Sequence, residues 1–95
     1  MNPPPAQIDG ATVLEWAWSD IEPFGEVPGS STGPIFGLAI AKYEDEDIYR
    51  FSCDHDWECV QDGLYESVEE AKRLLPDQYR CVPATWIKVL PASQP

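Results

Sequence analysis

Hydrophobic and polar positions alternate with a period of two along four stretches of this chain, and with a helical period along one. In TVLEWAWS (12–19), Leu14, Trp16 and Trp18 alternate with Val13, Glu15 and Ala17. In IFGLAIAKY (35–43), Phe36, Leu38 and Ile40 alternate with the smaller Gly37, Ala39 and Ala41. IYRFSC (48–53) and WECVQ (57–61) continue the pattern, and TWIKVL (85–90) reads as a last strand. Such alternation of β-branched and aromatic residues predicts half-buried strands. SVEEAKRLL (67–75) differs: Val68, Ala71, Leu74 and Leu75 form one helical stripe, leaving Glu69, Lys72 and Arg73 for water. Ser67 and Glu70 stand at capping-box spacing, and Pro76 marks the stop.

The segments between are read from their breakers. DIEPFGEVPGSSTGP (20–34) carries three prolines and three glycines, which excludes a regular element and makes a long functional or mobile connection. Glu44-Asp45-Glu46-Asp47 predicts a hairpin turn, and Asp62-Gly63 another turn. The predicted order is β-β-β-β-α-β: an α+β fold, a small, mainly antiparallel sheet with one helix packed on one face. It occupies residues 11–90 as a single domain, with disordered tails at 1–10 and 91–95.

Charge changes the picture more than composition does. The net charge is −11, and it is confined to residues 9–62, which hold thirteen acids and two bases. Residues 63–95 hold four of each. A surface so acidic repels phosphate backbones and anionic lipid, which argues against direct nucleic-acid and membrane partners. It favours a basic protein partner and speeds association with one. No apolar run approaches the roughly 18 residues of a membrane span, and the N-terminal MNPPPAQIDG lacks the features of a signal peptide. With an odd number of cysteines, three, the expected location is cytoplasmic and the thiols reduced.

RFSCDHDWECVQD (50–62) gathers two cysteines, the sole histidine and four acids, and so raises the question of a site. With Asp54, His55 and Asp56 as a three-residue loop, Cys53 pairs with Trp57, Phe51 with Cys59 and Tyr49 with Gln61. Tyr49, Phe51, Cys53, Trp57 and Cys59 then share the core face, the two thiols diagonal and too far apart for an unstrained disulfide. Zinc could draw on Cys53, His55, Cys59 and Cys81, but none of their spacings is the close pair that aims two side chains at one ion. Counted as a calcium loop from Asp54, the segment has Cys59 where glycine must turn and Tyr65 where a bidentate glutamate must bind. No catalytic motif is present, so the chain reads as a non-enzyme without cofactors.

The run YRFSCDHDWECVQDGLYESVEEAKRLLPDQY (49–79), with Leu14-Glu15-Trp16-x-Trp18 and Glu22-Pro23-Phe24-Gly25, resembles a family of small bacterial proteins of uncharacterised function. That resemblance implies no functional residue. In type, a compact acidic α+β domain is also similar to bacterial immunity proteins that neutralise nuclease toxins. The functional expectation is an acidic interaction domain, an inhibitor or immunity protein that occludes a basic partner such as a toxin. Its partner-binding residues would be Asp20, Glu22, Phe24 and Glu26 on the long loop, with Glu44, Asp45, Glu46, Asp47, Asp54 and Asp56 at the two turns. The alternative is a small metal-binding or regulatory domain using Cys53, His55 and Cys59.

Overall fold

The computed structural model describes residues 2–26, 33–75, 79 and 82–89. The expected helix stop at Pro76, the zinc candidate Cys81, the tail at 91–95 and the middle of the long loop (27–32) lie outside the described residues.

The alternating stretches form an antiparallel sheet. Its elements are β1 (Gln7–Ile8), β2 (Ala11–Trp18), β5 (Gly37–Lys42), β6 (Ile48–Cys53) and β7 (Cys59–Tyr65), arranged β1-β2-β5-β6-β7. The free edge of β2 is shared: β1 takes Ala11 and Thr12, and β8 (Ile87–Lys88) takes Glu15 and Trp16. A two-stranded ribbon, β3 (Gly25–Glu26) and β4 (Pro34–Ile35), lies within the loop read as irregular. The fold is mostly antiparallel sheet with one short helix, α1 (Val68–Arg73), as expected in outline.

The order differs in detail from β-β-β-β-α-β because short pairings escape a pattern count. Residues 1–10, read as a tail, contain β1. The β1–β2 connection is a two-residue turn with Asp9 at φ 52° and Gly10 at φ 82°, the positive pair that suits a tight hairpin. Before β1, the Ala6 carbonyl accepts from the Val13 amide, and the Asn2 carbonyl accepts from the Trp57 indole N–H at 2.9 Å. Asp62 and Gly63, read as a turn, lie inside β7 opposite Phe51 and Arg50. A side chain at Gly63 would meet the Tyr65 ring at 3.2 Å, so glycine here serves packing rather than turning.

Two bulges decide which side chains meet. In β2 the register slips between Val13 and Glu15, so Leu14 is the extra residue. Val13 and Trp16 therefore enter one core cluster, whereas strict alternation had set them on opposite faces. In β7 the slip lies between the partners of Ser52 and Cys53. Cys53 opposes Cys59 directly, Ser52 opposes Gln61, and Phe51 opposes Asp62, replacing the expected Cys53–Trp57 register. The face assignment survives: Tyr49, Phe51, Cys53, Trp57 and Cys59 all belong to that same cluster.

The first face is aromatic against small. Gly37, Ala39 and Ala41 leave room for Trp16, Phe51 and Trp57, so the small residues accommodate rings, not the helix. The second face carries Ala17, Leu38, Phe24, Ile35, Leu75 and Tyr79. It also carries Glu15 and Arg50, both buried, and the helix reaches them. Lys72 Nζ lies 2.7 Å from Glu15 Oε1, and Arg50 Nη1 donates to the Ala71 carbonyl at 2.6 Å with its guanidinium over the Tyr65 ring. Burial lowers the Arg50 pKa, which Tyr65 and then Tyr79 partly offset. Lys72, expected in water, thus holds a buried acid. Leu74, expected in the stripe, is half exposed. Ser67 caps α1 by accepting from the Glu70 amide at 3.0 Å, while the Glu70 carboxylate accepts from the Glu66 amide rather than from Ser67.

Candidate interaction surfaces

The turns at the two ends of β6 have the same design. Glu46 N–H donates to the Tyr43 carbonyl and Tyr43 N–H to that of Asp47, with Glu46 at φ 75°. Trp57 N–H donates to the Asp54 carbonyl and Asp54 N–H to that of Glu58, with Trp57 at φ 62°. Each is a turn closed by one residue in the left-handed region. The Asp54 carboxylate locks the second turn, accepting from Asp56 N–H at 2.8 Å and Glu58 N–H at 3.0 Å. The loop is thus Asp54–Glu58, longer than the three residues expected, and the left-handed Trp57 turns its indole back onto the sheet.

That turn carries His55 to the end of β2. The rings of Trp18, Phe36 and His55 lie 5.2–6.4 Å apart between centroids, joined to the core through Trp57, 5.3 Å from Trp18. The Trp18 indole N–H donates to the Asp20 carboxylate. Ile21, 90% exposed, follows it, beside a cleft of about 470 Å³ between Ile21-Glu22 and Val82-Pro83. The structure therefore brings Asp20, Glu22, Asp54 and Asp56 to one end of the sheet around an aromatic cluster. The sequence placed these acids on separate loops, and Phe36, His55 and Ile21 were not among its interface residues. The missed signal was Phe36 itself, which interrupts the run 35–43 between β4 and β5 and leaves the core.

The remaining predicted residues divide. Phe24, proposed as an anchor, is 1% exposed in the second core cluster and is unavailable to a partner. Glu26 is exposed on β3. Glu44, Asp45, Glu46 and Asp47 are exposed at the opposite end of β6, where Lys42 approaches Glu46 at 3.5 Å. An exposed pair of this kind contributes little to stability.

The alternative set Cys53, His55 and Cys59 is not gathered. His55 packs on Trp18 and Phe36, while Cys53 is fully buried. Among the described residues, the donors that do converge are those of Asp9, Cys59 and Asp62, within 4.8 Å of one another. Burial first, then the Asp62 and Asp9 carboxylates, push the Cys59 thiol up to about 11; burial also raises Cys53. Tyr43, whose hydroxyl donates to the Asp9 carbonyl at 3.0 Å, is raised by desolvation and then by Asp9. Neither thiol is prepared as a nucleophile, which requires a lowered pKa.

The Cys59 thiol has a consequence for stability. Folding holds it protonated, so its contribution is full below the ordinary value of 9.0 and is lost as pH rises towards about 11. Urea midpoints measured from pH 7 to 11 should fall less steeply for Cys59→Ala than for the parent chain; parallel curves would contradict this.

Compared with known proteins, the chain matches no family model, no curated protein and no solved structure. No helix among the described residues is long and apolar enough to cross a membrane.

Proposed function

We propose that this chain is an acidic protein-interaction domain, an inhibitor or immunity protein of the bacterial cytoplasm, that occludes a basic partner without chemistry of its own. The observation that carries the reading is the gathering of Trp18, Phe36, His55 and Ile21 beside the carboxylates of Asp20, Glu22, Asp54 and Asp56. Aromatic and aliphatic anchors within a charged rim are the usual anatomy of a binding surface. The charge of −11 supplies long-range attraction and disfavours nucleic acid. The rings pack against one another too closely to admit a cation between them, so basic side chains would meet the rim and the outer ring faces. The similarity in type to bacterial immunity proteins agrees with this reading.

The test compares capture by immobilised chain, at about 50 and 150 mM salt, of proteins from a bacterial lysate. The parent should retain a basic protein, and Ile21→Ser/Glu22→Lys/Asp56→Lys should weaken that retention about tenfold or more. Glu44→Lys/Asp45→Lys, at the other end, should reduce it far less. Retention of no basic protein, or equal loss in both variants, refutes the assignment.

A further inference from the structure

β7 forms a margin of the sheet, and among the described residues β6 is its only strand neighbour. The opposite margin is covered by β1 and β8. In an antiparallel pair, alternate residues turn their N–H and C=O away from the partner strand, so β7 offers a row of main-chain donors and acceptors over its seven residues. Gln61, Asp62 and Leu64 are exposed, Leu64 by 60%. Asp62 and Leu64 oppose Phe51 and Tyr49, so both stand on the aromatic face, a carboxylate two residues from an apolar side chain.

Charge along this margin selects its occupant. Glu58 precedes β7, Asp62 lies within it and Glu66 follows, while the Asp9 carboxylate comes within 4.8 Å of that of Asp62. Among the described residues no ion pair reaches any of the four; Lys42 pairs with Glu46, and Lys72 with Glu15 and Glu69. A second copy paired antiparallel about Asp62 would set Asp62 against Asp62 and Glu58 against Glu66, a repulsive register. An extended segment with a basic residue facing Asp9 and Asp62, and an apolar residue two positions away over Leu64 and Tyr49, satisfies both charge and pleat.

We infer that β7 is a strand-addition site for an extended basic segment of a protein partner, read as alternating basic and apolar residues on one face. This rests on the reading of the chain as a binder of basic partners, and adds the mode of binding. β7 begins one residue after the Asp54–Glu58 turn, so a strand laid along it continues from the aromatic end of the sheet.

The probe is a blocked peptide, acetyl-Lys-Thr-Val-Thr-Lys-Thr-Leu-amide, in which lysine and an apolar residue alternate along one face of the strand, and its analogue N-methylated at alternate residues. The two have equal charge, but the analogue cannot form the ladder on its methylated edge. Titration should show binding of the parent peptide, with hydrogen-exchange protection centred on residues 59–65, and at least tenfold weaker binding of the analogue. Asp62→Lys and Leu64→Lys should each weaken the parent peptide about tenfold, at positions exposed enough to keep the fold. No binding, equal affinity of the two peptides, or protection confined to other segments overturns the inference. Such a result with lysate capture still sensitive to Ile21, Glu22 and Asp56 leaves the proposed function standing. Loss of that capture with β7 binding intact overturns only the assignment of the aromatic end.

Discussion

Gly37→Ala is expected to destabilise the fold by about 1–3 kcal/mol, enough to lower Tm by roughly 5–20 °C in a domain this small. A Cβ at this position would lie 2.6–2.9 Å from three atoms of the Trp57 ring, well inside contact distance. The ring cannot retreat freely. It stands 6.2 Å from Trp16 and 5.3 Å from Trp18 between centroids, its indole N–H is bonded to the Asn2 carbonyl, and its backbone is fixed in the turn by Asp54. The displacement should therefore reach Trp18 and His55 and reduce near-ultraviolet circular dichroism. In a Trp57→Leu background the cost of the alanine should largely vanish, since the atoms it meets are gone. An unchanged Tm for Gly37→Ala, or full additivity with Trp57→Leu, would mean that the indole does not rest on Gly37.

Lys72→Met is expected to cost about 2–4 kcal/mol, measured as a lowered urea midpoint. The reason is the partner left behind. Glu15 sits in the middle of β2 with its side chain 9% exposed, and Lys72 reaches it at 2.7 Å from α1. Lys72 is itself 22% exposed, so water softens the loss towards the lower end of that range. Replacing both groups, as Glu15→Leu/Lys72→Met, should recover stability to within about 1 kcal/mol of the parent, because an apolar pair needs no solvation. If the double variant is as unstable as the single, the bridge is not what Glu15 requires. Glu69 also comes within 3.8 Å of Lys72, but it is exposed and i,i+3 on the helix, so its contribution is minor.

These two positions show how far residue patterns reach. Period-two counting located the four principal strands because each is long enough to alternate, and the cap at Ser67 located the helix because its donor and acceptor are local. The same counting misplaced Val13 and the partners of Cys53 and Phe51. One extra residue, Leu14 in β2 or Val60 in β7, reverses the facing of everything beyond it, and bulges leave no periodic trace. It also placed Lys72 in water by its charge, whereas its stem is long enough to carry the cation to an acceptor beneath the helix. β1 was lost among prolines, although Asp9-Gly10 is a turn pair whose meaning depends on what flanks it.

The acidic residues illustrate the same division for function. Their number and their confinement to residues 9–62 are properties of the chain. Which acids meet was decided by three-dimensional contacts: Trp18 with His55 across the sheet end, and Asp9 with Asp62 across its width. Phe24 reads as an interface anchor in sequence and is core in space, while Phe36, read as one more position of an alternating strand, lies half-buried against Trp18 and His55. Sequence by itself determined the types of the principal elements and the sign of the surface, since local geometry and charge are carried by each residue. Only the tertiary structure decided register, the buried ions and the composition of each surface, because those depend on distances between residues tens of positions apart.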